Sequence, residues 1–223
     1  MDANGNSELR VWDAPTRLFH GCLIALFLTS WIAGVRGAMS LHVVSGCLIL
    51  TLVLFRLVWG LIGSTTARFH HFLKPPTAVL SYLGDVRAGR STLIAGHNPA
   101  GGWMIAAMLV VLLGQAGTGL FANDDVLIEG PLAHLVSDDV SDLLTVAHKA
   151  LFKLLLAMVA THVSAALFYL WVKHDNLIRP MITGVRPWPS DQPMPQLRFA
   201  SPLLAACVIA VAGLAVWLLV TRL

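Results

Sequence analysis

Residues 146–172 read VAHKALFKLLLAMVATHVSAALFYLWV, and this stretch decides the architecture. It is apolar for long enough to cross a bilayer, because about 20 residues rising ~1.5 Å each cover ~30 Å of hydrocarbon. It nevertheless carries two histidines, His148 and His162. An ionisable side chain inside a span is expensive, and by default it marks function. Their separation turns a helix through just under four full turns, so both point nearly the same way, roughly 21 Å apart along the axis.

The rest of the chain has the same character. Of its 223 residues, 57% are hydrophobic and only 12% charged, about half the ~25% charged share of a soluble domain. With a mean hydropathy of +0.74, a soluble globule would expose large apolar patches, which soluble monomers avoid. A soluble enzyme, a disordered tail and a nucleic-acid module are excluded, so the net charge of +3 is no nucleic-acid footprint. Cys22, Cys47 and Cys207 lack CxxC spacing and lie in apolar runs, as packed free thiols do. Four further spans are expected at 18–35, 41–62, 101–121 and 202–220. None alternates with the period of a membrane strand, so helices are expected throughout.

The connections orient the spans. Arg68, Lys74, Arg87 and Arg90 lie between the second and third, and Lys173, Arg179, Arg186 and Arg198 between the fourth and fifth. Residues 122–145 instead hold Asp124, Asp125, Glu129, Asp138, Asp139 and Asp142 without a single Lys or Arg. Excess Lys and Arg mark the cytoplasmic face. The N-terminus and both basic connections are therefore expected inside a bacterial plasma membrane, and the acidic loop and C-terminus outside it. A rival reading cuts the first span as a secretory signal at residues 34–38, but its apolar run is longer than the usual ~7–15 residues.

Four histidines fall inside or at the ends of spans: His20, His42, His148 and His162. With alternating helix directions, His42 and His148 share a depth near the outer face, and His20 and His162 share one near the inner face. Singly, each reads equally as a histidine bonded to a neighbouring helix. Two pairs at matched depths suit two bis-histidine haems stacked across the bilayer. A catalytic zinc site wants three protein ligands, and copper usually recruits Cys or Met; neither pair has such company. Without a CxxCH motif the haems would be held non-covalently, as b-type. Iron with both axial positions filled by histidine passes electrons and does not bind oxygen.

Cations at the right depths could pair the haem propionates: Arg10, Arg17 and Arg56 on the inner side, Arg36 and Lys149 on the outer side. Ordinary interfacial snorkelling is their alternative role. Gly46, one turn from His42, would let a flat ring approach the helix, though small residues also serve plain packing. Lys153 either lines a quinone or propionate pocket or snorkels outward. His70 and His71 read as a basic headgroup-facing surface, His97 as a helix cap, and His134 and His174 as residues without a partner at their depth.

Several motifs together resemble one family. Residues 11–20, VWDAPTRLFH, are similar to the opening motif of the bacterial cytochrome b561 and nickel–iron hydrogenase b-type cytochrome family. LHVVSG at 41–46 with RLVWG at 56–60, GHNPAGGW at 96–103, and the His148/His162 spacing resemble its later helices. The resemblance spans about residues 9–180. It implies a four-helix di-haem bundle moving electrons between quinone and a partner, with His20 and His162 on the inner haem and His42 and His148 on the outer. The fifth helix is extra to that pattern.

The expected fold is thus an all-α integral membrane protein: a four-helix di-haem bundle plus a fifth C-terminal transmembrane helix. Residues 1–16 would form a cytoplasmic lead-in, 17–185 the bundle, 186–199 a proline-rich semi-rigid linker, and 200–223 the fifth helix. The leading function is electron transfer between quinone and an extracytoplasmic redox protein such as a c-type cytochrome, steered by the acidic loop. The loop reads equally as a solvated surface with no partner. A superoxide oxidase and a hydrogenase-anchoring cytochrome subunit are the alternatives. The largely negative outer face suits an anionic substrate poorly. No acidic chain crosses the spans as in a proton pump, and no nucleotide-binding glycine fingerprint is present.

Overall fold

A computed structural model of the chain describes residues 7–90, 93–123 and 129–222. Five of its helices are long and apolar enough to cross a membrane: α1 (Ala14–Val35), α2 (Met39–Ile62), α5 (Pro99–Gly119), α6 (Asp138–Trp171) and α8 (Pro202–Arg222). Shorter helices α3 (Phe69–Phe72), α4 (Pro76–Arg87) and α7 (Ile178–Thr183) lie in the connections. Side chains such as Val110 and Val211 are about 70% exposed on these helices, as surfaces in contact with lipid rather than water are. The helical membrane bundle expected from the sequence is therefore present.

The described chain divides into two compact units, and each long helix contributes a segment to both. In the unit built from Phe19–Leu57, Ala107–Ala160 and Ala206–Leu223, Ile49 and Val53 of α2 meet Leu112 of α5 and Leu155 of α6, with Leu23 and Phe27 of α1 packed against them. Here α8 lies against α2, where Gly213 would bring a Cβ only 3.7 Å from Thr51. Val216 joins a separate cluster with Leu50, Leu120 and Leu132. Four helices thus enclose this core, and the fifth covers one side of it.

The other unit holds the N-terminal segment, α3, α4, α7 and both basic connections. The stretches read as lead-in and linker carry structure of their own. Strand β1 (Ser7–Arg10) pairs antiparallel with β2 (Val185–Trp188), Ser7 opposite Trp188 and Arg10 opposite Val185. Leu9, Val11, Trp12 and Trp188 bury together beneath this ribbon. The N–H groups of Val11 and Trp12 both donate to the Gly184 carbonyl, at 2.8 and 3.1 Å. Gly184 has a φ of +86°, and a Cβ there would lie 3.0 Å from the Trp12 carbonyl oxygen, so no other residue fits without strain.

Asp13 starts α1. Its Oδ1 accepts from the Thr16 N–H at 2.8 Å, a helix N-cap, and its Oδ2 accepts from Trp59 Nε1 at 3.1 Å. At the start of α5 the capping group is Asn98, whose Oδ1 accepts from the Gly101 N–H at 2.7 Å. The capping role expected of His97 is therefore corrected: its ring packs instead against Trp12 and Phe72, at 4.5 and 4.9 Å between centres. An Asn carbonyl reaches back to the first free N–H groups of a helix more readily than a ring does.

α6 begins at Asp138, earlier than the span expected from residue 146. At ~1.5 Å per residue it is about 50 Å long, well beyond the ~30 Å of hydrocarbon. Asp138 and Asp139 occupy its first turn, where negative charge complements the helix dipole. Asp124 and Asp125 of the acidic loop lie outside the described residues.

On α4, Tyr82 is buried and its hydroxyl hydrogen-bonds that of Tyr169. Burial, then that bond, then the Tyr169 and Asp175 charges push its pKa up from the ordinary 10. A phenol raised in this way stabilises the fold fully below its unfolded pKa, and that stability is lost as pH climbs toward the folded value. Thermal stability should therefore fall as pH rises from about 9 to 11, and Tyr82→Phe should flatten that fall. Melting curves across this range would test it; equal slopes in the two proteins would refute it.

Candidate functional site

Within the unit containing Phe19–Leu57 and Ala107–Ala160, the structure brings His42 of α2 and His148 of α6 together. Their ring centres are 6.0 Å apart and their planes meet at 82°. Each ring is held by the backbone of a third helix. His42 Nδ1 lies 2.8 Å from the Ser30 carbonyl oxygen on α1, and His148 Nδ1 lies 2.9 Å from the Gln115 carbonyl oxygen on α5. A carbonyl only accepts, so both Nδ1 atoms carry the proton and both Nε2 atoms keep the lone pair. The Gln115 side-chain nitrogen donates to His148 Nε2 at 3.0 Å, consistent with that tautomer.

Two imidazoles bound on opposite sides of one metal, with bonds of about 2 Å to nitrogen, have ring centres about 6 Å apart. The observed spacing meets that requirement. Among the described residues no group of three or more His, Cys, Asp or Glu is assembled to hold a metal ion. Two neutral imidazoles facing each other would suit a metal whose remaining ligands come from a macrocycle. The pocket containing the rings is lined by Gly46, Gln115, Gly119 and Phe152 among others. A Cβ at Gly46 would meet nothing within 4 Å, so the wall is open beside His42. Phe152 also packs against Trp31 of α1, 5.8 Å between centres.

The remaining candidates are placed as follows. His20 is half-buried on α1, directly after Phe19, whose ring meets that of Phe55 at 6.4 Å. That contact sets Arg56, only 2% exposed, at the level of His20. His162 is half-buried further along the unbroken α6, within the other unit. Arg17 is half-buried and donates through Nη1 to the Ile182 carbonyl, while its Nε is buried without a hydrogen bond. Arg36 and Lys149 are exposed, on the α1–α2 turn and beside His148. Arg10 stacks over Phe199 at 4.4 Å, which occupies its guanidinium. Lys153 is exposed on α6.

Sequence reasoning missed Ser30, Gly34, Gln115 and Gly119. A signal existed: each helix facing a histidine carries a polar residue and, one turn later, a glycine.

A family model described as prokaryotic cytochrome b561 matches residues 11–184 of the chain. No curated protein and no solved structure matches it.

Proposed function

The chain belongs to the prokaryotic cytochrome b561 family, a family of membrane b-type cytochromes that carry electrons, and on that premise we propose that it holds two b haems and passes electrons across the bilayer between quinone and an extracytoplasmic protein. His42 and His148 would ligate the outer haem, and His20 and His162 the inner one. The observation that carries this reading is the facing pair His42 and His148, each with Nδ1 bonded to a backbone carbonyl.

A haem held there supplies a one-electron ferric/ferrous couple with no free coordination site. The chain does the rest. The Ser30 and Gln115 carbonyls fix the tautomer and raise the basicity of the two rings. Buried Arg56, with Arg17, would balance propionate charge on the inner side; Arg36 and Lys149 would do so on the outer side. Phe27, Trp31 and Phe152 pack around the pocket and limit water.

By the distribution of Lys and Arg, the N-terminus faces the cytoplasm of a bacterial cell and the C-terminus the outside. Residues 17–185 form the electron-carrying bundle and 200–223 an added helix, joined through 186–199. Glu129, Asp138, Asp139 and Asp142 favour a basic partner on the outer side, such as a c-type cytochrome.

The test is direct. Protein purified in detergent should carry two haems per chain by pyridine haemochrome assay. It should also oxidise a quinol analogue while reducing a basic c-type cytochrome, more slowly as ionic strength rises. One haem per chain would refute the di-haem reading. Rates insensitive to salt would refute electrostatic docking, and reduction by superoxide that a dismutase abolishes would favour the superoxide oxidase alternative.

A further inference from the structure

Ser30 and Gly34 on α1, and Gln115 and Gly119 on α5, present the same backbone arrangement to the two facing histidines. Side chains on a helix lean toward its N-terminus and cover the turn behind them. Residue i+4 therefore screens the carbonyl of residue i, and a glycine at i+4 leaves it bare. That carbonyl already accepts one helical N–H but has a second lone pair. His42 reaches the second lone pair of the Ser30 carbonyl at 2.8 Å, and His148 that of Gln115 at 2.9 Å, where the Thr118 hydroxyl also donates at 3.1 Å.

The fit is tight for a methyl group. A Cβ at Gly34 would lie 3.1 Å from His42 Nδ1, and a Cβ at Gly119 would lie 2.9 Å from His148 Cε1 and 3.1 Å from its Nδ1. Carbon contacts are comfortable at about 3.5–4.0 Å, so alanine at either site pushes the ring away and weakens its bond to the carbonyl, more strongly at Gly119 than at Gly34. Gly21 on α1 and Gly117 on α5 differ: a Cβ at either meets nothing within 4 Å. The arrangement thus occurs where a histidine approaches, and it occurs on two separate helices.

We propose that Gly34 and Gly119 are positioning residues for the outer haem: each bares a backbone carbonyl that takes an imidazole Nδ1 proton, directs Nε2 toward the iron and holds the reduction potential down. The inference rests on the reading that His42 and His148 are axial ligands. The potential follows from the bond itself. An imidazole that donates Nδ1–H to a carbonyl is a more basic ligand, and a more basic ligand favours ferric over ferrous iron. Losing that bond raises the potential.

The experiment compares Gly34→Ala and Gly119→Ala with Gly21→Ala and Gly117→Ala, each purified with its haems. Potentiometry followed at the haem bands and electron paramagnetic resonance of the ferric protein are the readouts. In wild type, rings crossed at 82° should give a highly anisotropic low-spin signal. In Gly34→Ala and Gly119→Ala that signal should change and the outer-haem wave should shift positive, or the outer haem should be lost, with the inner wave unmoved. The two control variants should match wild type.

Unchanged potentials and spectra in both test variants, with two haems retained, would overturn the proposal. So would an equal shift in the control variants, or loss of both haems together. Should Gly119→Ala fail to accumulate, Gly34→Ala, with its less severe approach, carries the same readouts. His42→Ala and His148→Ala separate the two ideas. If both keep two haems, the ligation reading fails; if either loses one while the glycine variants stay silent, only the glycine proposal fails.

Discussion

His148→Leu should lower the haem content from two per chain to one and reduce electron transfer to an outer acceptor to background. Leucine fills a similar volume but offers no lone pair. It also abandons the Gln115 carbonyl, which His148 Nδ1 meets at 2.9 Å. His42 alone would leave the haem with one histidine in a pocket built around two, and so more weakly held. The protein itself should survive, because the core of Ile49, Val53, Leu112 and Leu155 does not include the histidine. Pyridine haemochrome assay and the remaining inner-haem band measure the outcome. Val146→Ala makes the comparison sharp: an exposed neighbour with no role at the pocket should leave the haem content at two. Two haems retained in His148→Leu would remove this residue from the ligand set.

Asp13→Ala should be the most damaging change for stability among the polar residues, costing about 2–4 kcal/mol. Loss of a helix N-cap costs ~0.5–2 kcal/mol, and an indole N–H left buried without an acceptor costs a further ~1–3 kcal/mol. Both apply at once, because one carboxylate caps Thr16 and accepts from Trp59, whose ring is fully buried. Asp13→Asn keeps an oxygen for the cap and should lose less. Thermal melting in detergent, followed by near-ultraviolet circular dichroism, would show the order wild type, Asn, Ala. A melting point unchanged in Asp13→Ala would mean that the carboxylate is not a structural joint.

Much of this was legible in the sequence because lipid imposes simple rules. Long apolar runs must be helices, and His42 and His148 had to share a depth once helix directions alternated. That arithmetic gives depth alone; the facing of the two rings, 6.0 Å apart, depends on which helices adjoin and is added by the structure. The hidden part is made of backbone. No composition rule shows that the Ser30 carbonyl is an acceptor, and Gly34 reads as an ordinary packing glycine until a ring is placed against it. The start of α6 was misplaced because Asp138, Asp139 and Asp142 read as loop, whereas two of them sit in a first turn that favours acids. The pairing of β1 with β2 joins segments about 180 residues apart, and neither segment announces a strand on its own.

That ribbon also sets a timetable. Ser7–Arg10 leaves the ribosome early, but its partner Val185–Trp188 exists only after four spans have been made. At about 5–20 residues per second, the first strand waits roughly 9–35 s for the second. During that interval Leu9, Val11 and Trp12 lack the Trp188 that covers them in the finished protein. The ribbon can close only after the fourth span is made, so a nascent chain truncated before residue 185 should have all four spans but leave Ser7–Trp12 uncovered and vulnerable to proteases.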